Sequence, residues 1–397
     1  MTAAATPPAP AAAADVDRAC RALLAGNFAI GCGVMVTAGA LNDLAQSLQV
    51  TPAVGGQLIT AAAVAMGVGA PLMAAAMGQW DRRRLLTLAL LWYAAGHAIS
   101  ALMPSFAALL PARVLTMLAA AVFTPQAAAA ISVLAPPAQR GRAITYIFLG
   151  WSLASVLGMP AHSYVAETLG WRWAFALVTV LSLAAAWGVW RALPGDVRPP
   201  PLTLRNWGTA LSNPLFMAMV AVTALSGAGQ FTLFSYFAPY YRQELGASAG
   251  GVSFLFLWFG IFGLLGNLLL ARSIDRWGAA SCVNFTLALM ALSFATWSLA
   301  GSSAAMAVVL VPWALGCFSS NSAQQARLSG SSGAFAPALL ALNTSAIYLG
   351  QAVGAGSGGL MLTAGGFGAL PWAALAWMAL AIAVSVWVAR RMRTAPA

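Results

Sequence analysis

Apolar residues run along this chain in long blocks, each near the ~20 residues that a helix needs to cross ~30 Å of hydrocarbon. Short clusters of Gly, Pro and Arg separate the blocks. Hydropathy and breaker signals predict helices over 21–42, 53–76, 85–103, 108–134, 143–166 and 172–192. A second set is predicted over 213–238, 250–272, 280–300, 304–326, 336–362 and 369–390. The expected class is an all-α membrane protein of twelve transmembrane helices, arranged as six-helix bundles at 21–192 and 213–390. The stretch 193–212, which contains "LRNWGTALSN", is the expected cytoplasmic linker between them. Residues 1–20 open with the Ala/Pro-rich "MTAAATPPAPAAAADVD", which lacks a signal peptide's leucine core. They are expected to form a disordered cytoplasmic tail, and 391–397 a second tail.

Composition supports the lipid setting. Of 397 residues 61% are hydrophobic and only 7% charged, whereas soluble domains carry about a quarter charged residues. Every basic residue is Arg, and the formal charge is +11. The arginines are scattered in ones to threes between apolar blocks, which is loop anchoring and not a nucleic-acid patch. Basic residues accumulate in cytoplasmic loops. With both termini inside, all nineteen arginines except Arg113, Arg172 and Arg242 fall in tails, inner loops or inner helix ends. Cysteines 20, 32, 282 and 317 show no CxxC spacing, so neither a disulfide nor a metal site is expected, and no cofactor.

The chain also repeats itself. A shift of 197 positions lays Gly69 on Gly266 and Trp80 on Trp277, so "GNLLLARSIDRWGAA" at 266–280 overlays "GAPLMAAAMGQWDRR" at 69–83 and brings "DRWG" onto the loop that begins "GQWDRRRLL". A shift of 200 lays "FLG" at 148–150 on "YLG" at 348–350. With the two sets of six spans, these matches point to two parallel homologous halves.

These stretches, with "PARVLTML" in helix 4, "QRGRAI" before helix 5, "LGMP" and "LGWRWAF" across helices 5 and 6, and "ALNTSAIYLGQAVGAGSGG" in helix 11, resemble the major facilitator superfamily. The resemblance is to its twelve-span drug and metabolite efflux branch, which includes arabinose and sugar efflux permeases of the bacterial inner membrane. It implies a cytoplasmic gate motif at Gly78, Asp81, Arg82 and Arg83, repeated at Asp275, Arg276 and Gly278. In the first copy Gly78 stands where the family has Asp, and Asp81 where it has Gly. It also implies a helix-5 glycine-proline motif at Gly150, Gly158 and Pro160, which would either hinge or simply pack closely.

An ionisable side chain inside the bilayer costs at least ~2.5–3.5 kcal/mol and normally faces the bundle interior or a wet cavity. Arg113 in helix 4 is the clear case, and the resemblance implies a role in substrate or proton coupling. Related permeases often carry a helix-1 glutamate where this chain has Val34 in "GCGVMV". All eight acids fall in tails, loops or helix ends, so Asp43 becomes the candidate partner for Arg113. His162, just after Pro160, is a second candidate for coupling, whereas His97 on helix 3 is expected to be structural. Polar and aromatic residues on the central helices are the cavity candidates: Asn27, Gln126, Gln230, Phe234 and Tyr236, then Asn321, Gln324, Asn343, Tyr348 and Gln351. About half of these are expected to hold helices together instead.

No HExxH or embedded acid pair is present, which argues against an enzyme, and no P-loop supplies ATP drive. The expected function is secondary transport by a monomer: proton-coupled efflux of a small drug-like or metabolite solute. The alternative is a uniporter or anion-linked transporter of a neutral or anionic solute.

Overall fold

The computed structural model describes residues 13–77, 79–136, 139–198, 208, 211–332 and 336–394. The described residues hold twelve helices long and apolar enough to cross a membrane, and no strand. The first six are α1 (Ala13–Gly39), α2 (Pro52–Ala76), α3 (Arg82–Leu102), α4 (Phe106–Leu134), α5 (Arg140–Leu169) and α6 (Trp171–Ala192). The second six are α7 (Pro214–Phe234), α8 (Ala249–Trp277), α9 (Ala279–Thr296), α10 (Ser303–Ser332), α11 (Ala336–Gly365) and α12 (Leu370–Thr394). Short helices Leu41–Ser47 and Phe237–Gln243 continue α1 and α7. α5 is interrupted by a π-turn at Ala154–Gly158.

Helix starts follow local chemistry. Thr51, Asp81, Ser105, Asn213 and Ser248 each accept a backbone N–H of the first turn, satisfying donors that a helix end otherwise leaves orphaned. Pro52 and Pro214 occupy first-turn positions where no N–H is needed. Gly170 and Gly278, at φ 104° and 77°, end α5 and α8 with backbone that only glycine adopts readily.

Several boundaries differ from the hydropathy reading. α1 begins at Ala13, inside the expected 1–20 tail; residues 1–12 lie outside the described ones. Hydropathy falls at Asp15 and Arg18, but these two charges pair across one helical turn at 2.5 Å, and an acid in the first turn suits the helix dipole. α10 continues past residue 326 to Ser332, because Arg327 is buried and not a solvated helix end. Its guanidinium donates to Ser385 Oγ (2.9 Å) and Ser385 O (3.2 Å) of α12. α12 likewise runs to Thr394, past the expected 390. Most of the linker, at 199–207 and 209–210, and the last residues 395–397 lie outside the described ones.

An even number of crossings puts both ends of the described chain on one membrane face, here the terminal face; the other is the far face. α1 to α6 pack around one large apolar cluster, and α7 to α12 around two more. Small residues let backbones approach where the bundles are assembled. Gly350, Gly354 and Gly358 of α11 lie against Ala224, Ala228 and Thr232 of α7. Between bundles, Gly67 of α2 meets Leu349 of α11, and Gly260 of α8 meets Ser155 and Val156 in the π-turn of α5. Towards the far face, Ala38 and Leu41 join the aromatic cluster of Tyr236 and Phe237, and Ser253 Oγ donates to Pro160 O (2.9 Å).

Candidate functional site

Arg113 lies about two turns into α4 and is 1% exposed. Its guanidinium points into the N-terminal bundle and away from lipid. Nη1 donates to His97 Nε2 (2.9 Å) and Nη2 to the Gly33 carbonyl (2.6 Å), with the Phe175 ring 5.3 Å away. His97 Nδ1 lies 2.9 Å from the Tyr93 carbonyl, and a carbonyl only accepts, so Nδ1 carries the hydrogen and Nε2 accepts from the arginine. The cation is thus met by a neutral imidazole and a backbone dipole. Gly33 permits this geometry: a Cβ there would fall 2.7 Å from His97 Nε2. His97, expected to be only structural, is the direct partner of Arg113.

Asp43 is not that partner. Its Oδ2 accepts the Trp171 amide at the start of α6 (2.7 Å). It lies ten residues beyond Gly33 along the chain, about 15 Å at the helical rise. Hydropathy placed the two at similar depth because it could not see Arg113 reaching back to Gly33.

His162 is fully buried on α5, and neither ring nitrogen has a hydrogen-bond partner among the described residues. Thr37 of α1 and Ser155 and Ser163 of α5 also carry buried hydroxyls without partners. Cys32 Sγ fills the space that a Cβ at Gly158 would take, and His162 Nε2 is 3.8 Å from that point. His162 and Arg113 therefore border consecutive residues of α1, Cys32 and Gly33.

The cavity candidates divide. Asn27 donates to Ile147 O (3.0 Å) and accepts from Thr124 Oγ1 (3.0 Å), tying α1 to α4 and α5. The Tyr236 hydroxyl donates to Ala355 O (2.7 Å). Gln324 donates to Met219 O, and Asn343 accepts from Thr223 (2.5 Å) and donates to Asn321 (3.4 Å). These side chains fasten helices within the bundles. Gln230 accepts from Trp313 Nε1 (3.3 Å) and stays half-buried. Gln126, Phe234, Tyr348 and Gln351 are buried by 92% or more of their surface, and Tyr348 of α11 packs into the N-terminal cluster, across the bundle interface.

At the far face an ion pair joins the bundles. Arg242 Nε is 3.4 Å from Glu167 Oε2, and Asn42 Nδ2 donates to Glu167 Oε1 (3.2 Å). As one of the helix-end acids, Glu167 is not singled out by the sequence. The signal was present in Arg242, one of three arginines outside the expected loops, which needed a local reason to be there.

The Major Facilitator Superfamily profile matches residues 23–334. The chain belongs to the major facilitator superfamily. Among curated relatives, the uncharacterized MFS-type transporter YbcL of Bacillus subtilis (strain 168) is 28% identical over 373 residues, 91% of this chain and 93% of that protein. The chloramphenicol efflux pump Rv0191 of Mycobacterium tuberculosis is 31% identical over 242 residues, 60% of this chain and 58% of that protein. A solved D-xylose-proton symporter has the same fold, with a TM-score of 0.74, 17% identity, and coverage of 93% and 97%.

The first loop motif has local partners and one on α6. Asp81 accepts the Arg84 amide (3.0 Å) and so caps α3, which settles where the displaced acid goes. Arg82 donates to Trp80 O (2.6 Å) and Met77 O (3.3 Å), and Arg83 stacks 4.1 Å over Trp190 of α6. Gly78 lies outside the described residues. In the second copy Asp275 and Arg276 occupy the last turn of α8, and Gly278 ends it. Gly150 marks a close helix crossing, since a Cβ there would fall 2.7 Å from Phe28 N of α1. Gly158 and Pro160 flank the end of the π-turn, a device that often marks functional helix distortion.

Proposed function

We propose that this major facilitator protein exports a small, uncharged organic solute from the bacterial cytoplasm in exchange for protons, by alternating access between its two bundles. The terminal face is then cytoplasmic, in keeping with the arginine bias, and the far-face contacts described above close the opposite side. The chloramphenicol efflux pump among its relatives supports export and an uncharged solute. So does the lack of carboxylates in the span interiors. Gln126, Phe234, Tyr348 and Gln351 are left to contact the solute, because the other candidate amides, Gln230 included, are bonded to neighbouring helices.

One observation carries the proton assignment: His162 is buried with no hydrogen-bond partner on either nitrogen among the described residues. Arginine does not usefully give up its proton. His97 cannot gain one at Nε2 without turning an acceptor toward Arg113 into a second donor. His162 is under neither constraint. A charged imidazole there would lie close to Arg113, so it is tolerated only while water reaches the site from an open side. Proton uptake and loss are thereby tied to which face is open.

Proteoliposomes holding a pH-sensitive dye test this with chloramphenicol as the probe solute. Wild type should move protons against the solute. His162→Gln should retain solute counterflow but lose proton movement. Proton movement intact in that variant removes His162 as carrier, and solute flux without protons in wild type removes the coupling. The alternative of anion-linked transport drew on Arg113 as a charge open to solute, and its bonds to His97 and Gly33 take that support away.

A further inference from the structure

We propose that Glu167, Asn42 and Arg242 form a charge latch that holds the two bundles together at the far face and so sets the balance between the two access states. The inference rests on the alternating-access part of the proposed function and not on its proton coupling. The carboxylate is oriented so that each oxygen serves one bundle. Oε1 accepts from Asn42 on the short helix after α1, and Oε2 faces Arg242 on the short helix after α7. Arg242 is itself aimed, with Nη1 donating to Ala247 O (2.7 Å).

The surroundings make the pair conditional on closure. The Glu167 side chain is 5% exposed and that of Arg242 39%. A carboxylate this dry needs a cation, and removing one partner leaves an uncompensated buried charge. When the faces part, water solvates both groups and the attraction fades. The other far-face contacts named above, the Ser253–Pro160 hydrogen bond and the packing of Ala38 and Leu41 with Tyr236 and Phe237, carry no charge.

The charged groups facing Glu167 are Arg242 and the Asp43 carboxylate, which caps α6. On α6 itself, Arg172 is turned to Met103 O (3.0 Å) and Ser47 Oγ (3.5 Å). The facing stretch 249–260 of α8 contains no ionisable residue. With a second acid close by, Arg242 is the cation that balances the closed arrangement, and its location against the arginine bias is explained.

Hydrogen–deuterium exchange of the intact protein in lipid nanodiscs tests the latch without solute or a gradient. Glu167→Gln and Arg242→Gln should each speed exchange severalfold in peptides over 159–169 and 237–243, and slow it at the terminal-face ends of α4 and α10. The reversed pair, Glu167→Arg with Arg242→Glu, should return both regions to the wild-type pattern. Unchanged exchange in the single variants overturns the proposal. So does a reversed pair that stays shifted, since that would mark the residues as merely structural. If Glu167→Gln does not fold, Arg242→Gln and the reversed pair decide the matter. Failure of proton coupling appears separately, as solute flux in wild-type proteoliposomes without a dye response.

Discussion

At the scale of single residues, the arginines outside the expected loops are the informative ones, and each has a specific partner. Arg113 bonds His97 and Gly33, Arg172 bonds Met103 O and Arg242 pairs with Glu167. Leaving a buried guanidinium short of an acceptor costs about 1–3 kcal/mol or more. His97→Leu should therefore lower the thermal unfolding midpoint clearly, and His97→Gln, which keeps an acceptor oxygen, should lower it less. Equal midpoints for the two variants would dissolve the Arg113–His97 bond as an energetic element. That Arg113 turns away from lipid could be anticipated from its place inside an apolar span. Its partner could not, because an imidazole sixteen residues away on another helix carries no sequence mark that distinguishes it from a packing histidine.

At the scale of helices, the caps and glycines explain both where elements end and how near they come. A Cβ on Gly354 would lie 3.0 Å from the backbone C and Cα of Ala228, whereas one on Gly188 of α6 meets nothing within 4 Å. Gly354→Val should cost about 1–3 kcal/mol through overpacking. Gly188→Ala should instead gain about 0.5–1 kcal/mol, because alanine gives up less backbone freedom in a helix. Thermal unfolding in detergent reads both, and midpoints moving in the same direction would contradict the close α7–α11 crossing. The spans were legible because each buries a long apolar block. Their ends were less so: α1 extends over Asp15 and Arg18, and α10 over Arg327, since hydropathy scores a charge as a boundary whether or not a neighbour satisfies it.

For the molecule as a whole, the twelve-helix major facilitator fold follows from pattern and is matched by a known structure. Sidedness is open to a direct check. The native cysteines are buried or half-buried, so a membrane-impermeant maleimide applied to intact cells should label Gly301→Cys at the far face and spare Gly195→Cys at the terminal face. The reverse labelling would invert the orientation and make the Glu167–Arg242 latch a cytoplasmic one.

What the chain determined by itself is whatever depends on local composition. The number of its spans and the positions of most helix caps follow from apolar blocks and neighbouring residues, because the bilayer imposes a minimum length and one hydrogen-bonding solution on every crossing. Tertiary structure alone decided the pairings: His97 with Arg113, Asp43 with the α6 amide, Glu167 with Arg242, and the isolation of His162. Those contacts join side chains from helices far apart in sequence, and their energies depend on distances of a few ångströms that no pattern along one strand of residues encodes.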